Sequence, residues 1–202
     1  MIRKIVLIFS VLLLAFPAMS QTVAGRFHAG VDWGGGFTLA ESHHFNYKTA
    51  FGYRVDDRNT VFAPHFTGHL TAYAGVWATD NISVALHAGW AGLEEGSRII
   101  PVFVRTDWYF SNPIRSDCPF VYFDIGSDAL SLKQNPILSA VGGGYRIVLY
   151  KRLGIDFHMS VRTLQCRPEL IDDDSGLPVP DYNINADSQS RFGLEFGIRA
   201  GF

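Results

Sequence analysis

The last twelve residues constrain this chain more than any other stretch. Arg191 to Phe202 reads RFGLEFGIRAGF, with apolar side chains at Phe192, Leu194, Phe196, Ile198, Ala200 and Phe202. Arg191, Gly193, Glu195, Gly197, Arg199 and Gly201 fill the positions between them. An unbroken period of two specifies a β-strand with one greasy and one polar face, because successive side chains on a strand point to opposite sides. Two environments suit such a strand. In a soluble sheet the polar face meets water and the apolar face meets a core. In a membrane barrel the apolar face meets lipid and the polar face meets the lumen. About 9–11 tilted residues cross a bilayer, so the segment is long enough for the second environment.

The amino terminus points the same way. Arg3 and Lys4, the apolar run Ile5 to Phe16 and the small-x-small stretch Ala18-Met19-Ser20 have the layout of a secretory signal. The run is too short to cross a bilayer as a helix. Residues 1–20 are therefore expected to be a cleaved signal peptide, with residues 21–202 forming one domain. No cysteine follows the expected cleavage site, so a lipid anchor is not expected. Lys and Arg number 17 against 19 Asp and Glu, which gives no basic excess for a nucleic-acid partner. Two cysteines, Cys118 and Cys166, are too few for a disulfide scaffold.

Alternation of the same kind predicts eight strands, at about residues 25–39, 64–77, 82–92, 98–110, 118–130, 137–149, 153–164 and 191–202. In the fourth, Ile100, Val102, Val104, Trp108 and Phe110 oppose Phe103, Arg105, Asp107 and Tyr109. In the seventh, Ile155, Phe157, Met159 and Val161 oppose Asp156, His158, Ser160 and Arg162. Connections after strands two, four and six are short. Long polar segments, Glu41 to Ala63 and Gln165 to Ser190, follow strands one and seven. Trp33, Trp77, Trp90, Trp108 and Tyr150 fall near expected strand ends. An even strand count, alternating loop lengths and aromatic girdles together predict an all-β fold: an eight-stranded antiparallel up-and-down transmembrane β-barrel.

On this pattern, the signal sequence and the terminal Phe202, the chain resembles the small eight-stranded outer-membrane barrels of Gram-negative bacteria, the OmpA/OmpX-like group. The resemblance implies an outer-membrane location and contact with outer-membrane lipids. It also implies presentation of the last strand to the barrel-assembly machinery. It implies little about activity, and the two long polar segments are where an external contact would sit.

Inward-facing charges are expected at Arg26, Arg105, Arg146, Arg162, Arg191 and Arg199, against Asp32, Asp107, Asp124, Asp128, Asp156 and Glu195. An eight-stranded barrel is just wide enough for side chains to fill, and an unpaired buried charge is far costlier than a paired one. A self-neutralised plug is expected, with a narrow selective pore as the alternative. Strands seven and eight are expected to pair with Asp156 opposite Arg199 and Ser160 opposite Glu195, with Arg162 reaching Glu195 on the diagonal. His28, His69, His87 and His158 also face inward and are read as polar filling. No cofactor or metal is expected. The acidic run Asp172-Asp173-Asp174 lacks the spaced acids of a calcium loop. An enzymatic alternative rests on His158 and Ser160, a His-x-Ser pair like that of barrel lipid A deacylases, with Glu195 as the third member. A soluble periplasmic barrel is the third reading. Cys118 and Cys166 are expected at opposite ends of the molecule and unbonded.

Overall fold

The computed structural model describes residues 26–94, 97–129, 136–150, 153–172 and 175–202. The expected signal peptide, the side chain of Tyr150 and the turn at Lys151-Arg152 lie outside the described residues. Among the described residues nine antiparallel strands form one sheet: β1 (Phe27–Lys48), β2 (Arg54–Trp77), β3 (Ile82–Glu94), β4 (Ser97–Ile99), β5 (Pro101–Tyr109), β6 (Cys118–Asp128), β7 (Ile137–Tyr150), β8 (Leu153–Cys166) and β9 (Ile184–Gly201). The order β2-β1-β9-β8-β7-β6-β5-β3-β4, together with pairing of β2 to β3, closes the sheet into a ring.

The count differs from the expected eight for a local reason. β4 and β5 both pair with β3, and they occupy the span expected of the fourth strand. Between them the amide of Ile100 leaves the ladder and donates to Asp128 Oδ1 at 2.9 Å. Pro101 follows and has no amide to donate.

Larger departures come at the end of the ring that carries the long polar segments. The segment Glu41 to Ala63, read as a loop, is mostly strand. β1 and β2 stay paired from Ala40↔Phe62 to Lys48↔Arg54 and turn over Thr49–Tyr53, where Gly52 takes a φ of 91°. A register shift around Leu39 interrupts this hairpin beyond the last β2–β3 pair, His69↔Ala91; such a bulge bends its strand and increases its twist. β9 likewise starts at Ile184, inside the second expected loop, and follows β1 to Tyr47. The remainder of that segment folds back on the hairpin. Leu170 and Val179 bury against Tyr47, flanked by Phe45, Val55 and Ile184. The Asp172 carboxylate accepts the Ala50 amide at 2.9 Å, so this acid has a structural partner on the hairpin. Asp173 and Asp174 lie outside the described residues.

Within the ring, side chains sort by strand parity. On β5, Pro101, Phe103, Arg105, Asp107 and Tyr109 are buried while Thr106 and Trp108 are exposed. β6 and β8 alternate in the same way. The polar sets point inward and the large apolar sets outward: Trp33 is 66 %, Val141 62 % and Met159 63 % exposed. Trp77 departs from its expected girdle position. It is buried, on the inner face of β2, against Tyr109.

Cys118 and Cys166 are both free. Cys118 sits at the start of β6 on the inner face, pairing across to Arg146, while Cys166 ends β8 opposite Gln189. Only Cys166 is partly open to solvent. A maleimide reagent is expected to label Cys166 on the folded protein and Cys118 only after unfolding. A 118–166 crosslink in a non-reducing peptide map would contradict this strand order.

Candidate functional site

Cross-strand pairing places the charges before any side chain reaches out. One row of directly opposed residues runs Asp32 on β1, Arg199 on β9, Asp156 on β8 and Arg146 on β7. It alternates acid and base around four neighbouring strands, the favourable arrangement for facing pairs. A second row places Arg105 on β5 beside Asp124 on β6. A third sets Asp107 on β5 against Tyr122, and Ser160 on β8 against Glu195.

From these rows the side chains assemble two connected groups. In the first, Arg199 donates Nη1 and Nη2 to Asp107 at 3.0 and 3.1 Å, Nε to Asp156 at 2.8 Å and Nη2 to the Tyr109 hydroxyl at 2.9 Å. Arg146 adds bonds to Tyr109 at 3.1 Å and to Asp156 at 3.5 Å. Ser83 donates to Asp107 at 2.9 Å. Two guanidiniums thus meet two carboxylates. Arg199 and Asp107 lie four strands apart whichever way the ring is followed, so their bidentate pair bridges the full width of the lumen.

In the second group, Arg105 holds Asp124 through two bonds of 2.8 Å and Asp32 at 3.0 Å. His158 Nε2 lies 3.0 Å from Asp32, and its Nδ1 lies 3.1 Å from the Tyr122 hydroxyl. His69 stands between two carboxylates, with Nε2 3.4 Å from Asp32 and Nδ1 2.8 Å from Glu195. Arg162 completes the group at 3.2 Å from Glu195. Aromatic faces shelve the cations: Arg105 sits 4.1 Å from the centre of the Tyr122 ring, and Arg199 5.4 Å from that of Phe120. Cation–π contacts of this kind strengthen when desolvated.

Glycine makes the convergence on Asp32 feasible. His158, Gly197, Gly34 and His69 form one inner row across β8, β9, β1 and β2. A Cβ on Gly34 would come within 2.7 Å of His69 Cε1, and one on Gly197 within 2.8 Å of His158 Nε2. Two adjacent positions without side chains leave the gap into which both imidazoles lean.

The structure therefore brings together Asp32, Arg105, Asp107, Asp124, Arg146, Asp156, Arg162, Glu195 and Arg199. It leaves Arg26 out: that residue precedes β1 and donates to the Ala78 carbonyl at 3.4 Å. Asp128 is inward but accepts the Ile100 amide at the far end of β6. Arg191 pairs with Glu41 at 3.3 Å, above the second group. His158, Ser160 and Glu195 are not arranged as a triad. Both ring nitrogens of His158 face Asp32 and Tyr122, and Glu195 faces His69 and Arg162. Ser160 is buried on the inner wall, away from the outer face. His87 is stacked between Tyr73 and Phe103, with centroids 4.9 and 4.7 Å away. Among the described residues, no three His, Cys, Asp or Glu side chains form a metal-binding group. Sequence reasoning overlooked the aromatic shelf of Tyr109, Phe120 and Tyr122. Its signal was available, since Tyr109 continues the parity of Arg105 and Asp107.

No protein-family model matches the chain. No curated protein matches it. Among solved structures it is similar to the outer membrane protein AlkL, determined by solid-state NMR in DMPC lipid bilayers, at 16 % identity over 85 % of this chain and 90 % of that one, with a TM-score of 0.37. A TM-score of this size assigns neither fold nor role.

Proposed function

We propose that the chain is an integral outer-membrane β-barrel protein whose lumen is plugged by paired charges, with a structural or surface-contact role carried by the hairpin and folded loop beyond the ring. One observation carries this reading: the molecule is inside out. Its buried layer holds Arg105, Asp107, Asp124, Asp156 and Arg199, while Trp33, Val141, Phe157 and Met159 are presented outward. A soluble protein rarely exposes contiguous apolar surface of this extent, whereas a bilayer requires it. Pairing of β2 to β3 from His69↔Ala91 to Trp77↔Ser83 closes the described sheet over that span, and a closed sheet is the condition for crossing lipid with β-structure.

The plug follows from width and contact. Arg199–Asp107 and Arg105–Asp32 cross the lumen between non-neighbouring strands, so the path is blocked by pairs that stabilise one another. Partners on this reading are outer-membrane lipids and the barrel-assembly machinery, the latter through the strand ending in Phe202. The Glu195–His69–Arg162 arrangement supports a non-enzymatic role over the hydrolase. The protein is expected to fractionate with the outer membrane, to migrate anomalously in detergent gels until heated, and to give no steady conductance in planar bilayers. Release by osmotic shock would remove the membrane reading. A stable conductance would replace the plug with a pore.

A further inference from the structure

We infer that the lumen holds one bound proton, on His69, and that this proton latches Glu195 to Asp32. The inference rests on the plugged-barrel reading. It begins with donors and acceptors. A neutral imidazole has one N–H and can donate to a single acceptor, while an imidazolium donates from both nitrogens. Both nitrogens of His69 face carboxylates, Asp32 on β1 and Glu195 on β9. Carboxylates only accept when ionised, so the arrangement is satisfied by the imidazolium.

Charge counting agrees independently. In this group Arg105 on β5 and Arg162 on β8 face Asp32, Asp124 on β6 and Glu195. Two cations against three anions leave one negative charge in a desolvated interior, where an unmatched charge is costly. The neighbouring group of Arg146, Arg199, Asp107 and Asp156 is already balanced. The remaining titratable neighbours do not supply the missing charge. His158 on β8 has a carboxylate on one nitrogen and the Tyr122 hydroxyl on the other, an arrangement satisfied by the neutral Nε2–H form. His87 on β3 is walled in by aromatic faces beside Thr71. His69 is the position that closes the count.

The consequence is a latch. When the proton leaves, His69 keeps one N–H and releases either Asp32 or Glu195. Glu195 and Arg162 line a cavity of about 50 Å³ beneath Arg191 and Leu164, between the charge network and the hairpin end. Loss of the proton therefore loosens the side of the plug that faces this cavity, and the opposite group stays intact.

The test is long-range ¹H–¹⁵N spectroscopy of histidine-labelled protein refolded into lipid bilayers at pH 7, with His69→Gln used to assign the signal. The expected result is an imidazolium pattern for His69, with both ring nitrogens protonated, and a neutral Nε2–H pattern for His158. Because His69→Gln removes a buried contact and can fail to fold, Glu195→Gln serves as the second variant. It removes one anion while keeping an amide oxygen in its place. Arg105 and Arg162 then balance Asp32 and Asp124 without a third cation, and the imidazolium signal is expected to disappear at pH 7. A neutral His69 in the parent protein, or an imidazolium unaffected by Glu195→Gln, overturns the latch. Heat-modifiable migration is read on the same samples. A protein that inserts yet keeps His69 neutral refutes the latch alone, and one that does not insert refutes the barrel reading beneath it.

Discussion

Replacing Arg199 with alanine is expected to cost about 3–5 kcal/mol of folding stability, the range for removing one partner of a buried ion pair. Arg199 is 1 % exposed and its guanidinium serves Asp107, Asp156 and Tyr109 at once. Truncation leaves two carboxylates buried with reduced compensation. The partners are not equivalent. Asp156 keeps a contact to Arg146 at 3.5 Å, whereas Asp107 keeps only the neutral Ser83 hydroxyl among the described contacts. Adding Asp107→Ala to Arg199→Ala is therefore expected to recover more stability than adding Asp156→Ala. Urea unfolding of the parent, Arg199→Ala, Asp107→Ala and their double variant in detergent micelles or lipid vesicles closes the cycle. Additive energies across Arg199 and Asp107 would show that the bridge across the lumen contributes nothing.

The second large effect is expected from a single methyl group. Gly34→Ala places a Cβ against the Phe196 carbonyl oxygen, 2.6 Å from Gly197 Cα and 2.7 Å from His69 Cε1. The first two are backbone atoms of β9, so relief requires the β1–β9 ladder itself to shift. Overpacking of this kind costs about 1–3 kcal/mol and sometimes more, and here it also pushes His69 away from Asp32. Gly68→Ala is the control. It lies on the outer face one strand away, and its nearest atom, the Gly34 carbonyl oxygen, is 3.7 Å from the added carbon. Gly34→Ala is expected to lower the unfolding midpoint clearly and Gly68→Ala hardly at all. Equal effects would mean that the glycine gap does not hold the imidazoles in place.

The two alanine changes separate what the sequence carries from what it hides. Parity is visible in the chain: Arg105 and Asp107 fall on one face, Trp108 and Val104 on the other, and the Asp156↔Arg199 and Ser160↔Glu195 facing pairs follow from aligning strand ends. Long-range partner choice is not visible. Asp32 faces Arg199 in its row, yet its contacts go to Arg105 across the ring and to two histidines, because the glycine gap admits the imidazoles. The hairpin beyond the ring was missed for another reason. From Phe51 to Phe62 both faces are exposed almost throughout, and from Glu41 to Tyr47 both are partly or fully covered, so alternation between greasy and polar positions disappears although the ladder continues. The break at Ile100 was equally hidden, since it depends on Asp128 reaching back from a neighbouring strand.

The seam between β1 and β9 has a consequence for assembly. It joins Gly30 to Gly201 and continues to Tyr47 opposite Ile184, so the first strand of the chain must wait for the last. Bringing together ends about 170 residues apart costs roughly 4–5 kcal/mol of loop entropy. No partial seam of a few pairs offsets that cost, which makes the join a late, all-or-nothing event. A slip of one residue would also turn every side chain to the wrong face. The seam is interrupted between Thr38 and Ala40 and again between Asn46 and Tyr47. A partner strand slipped along the seam would meet these two irregularities out of step, so only one register accommodates both.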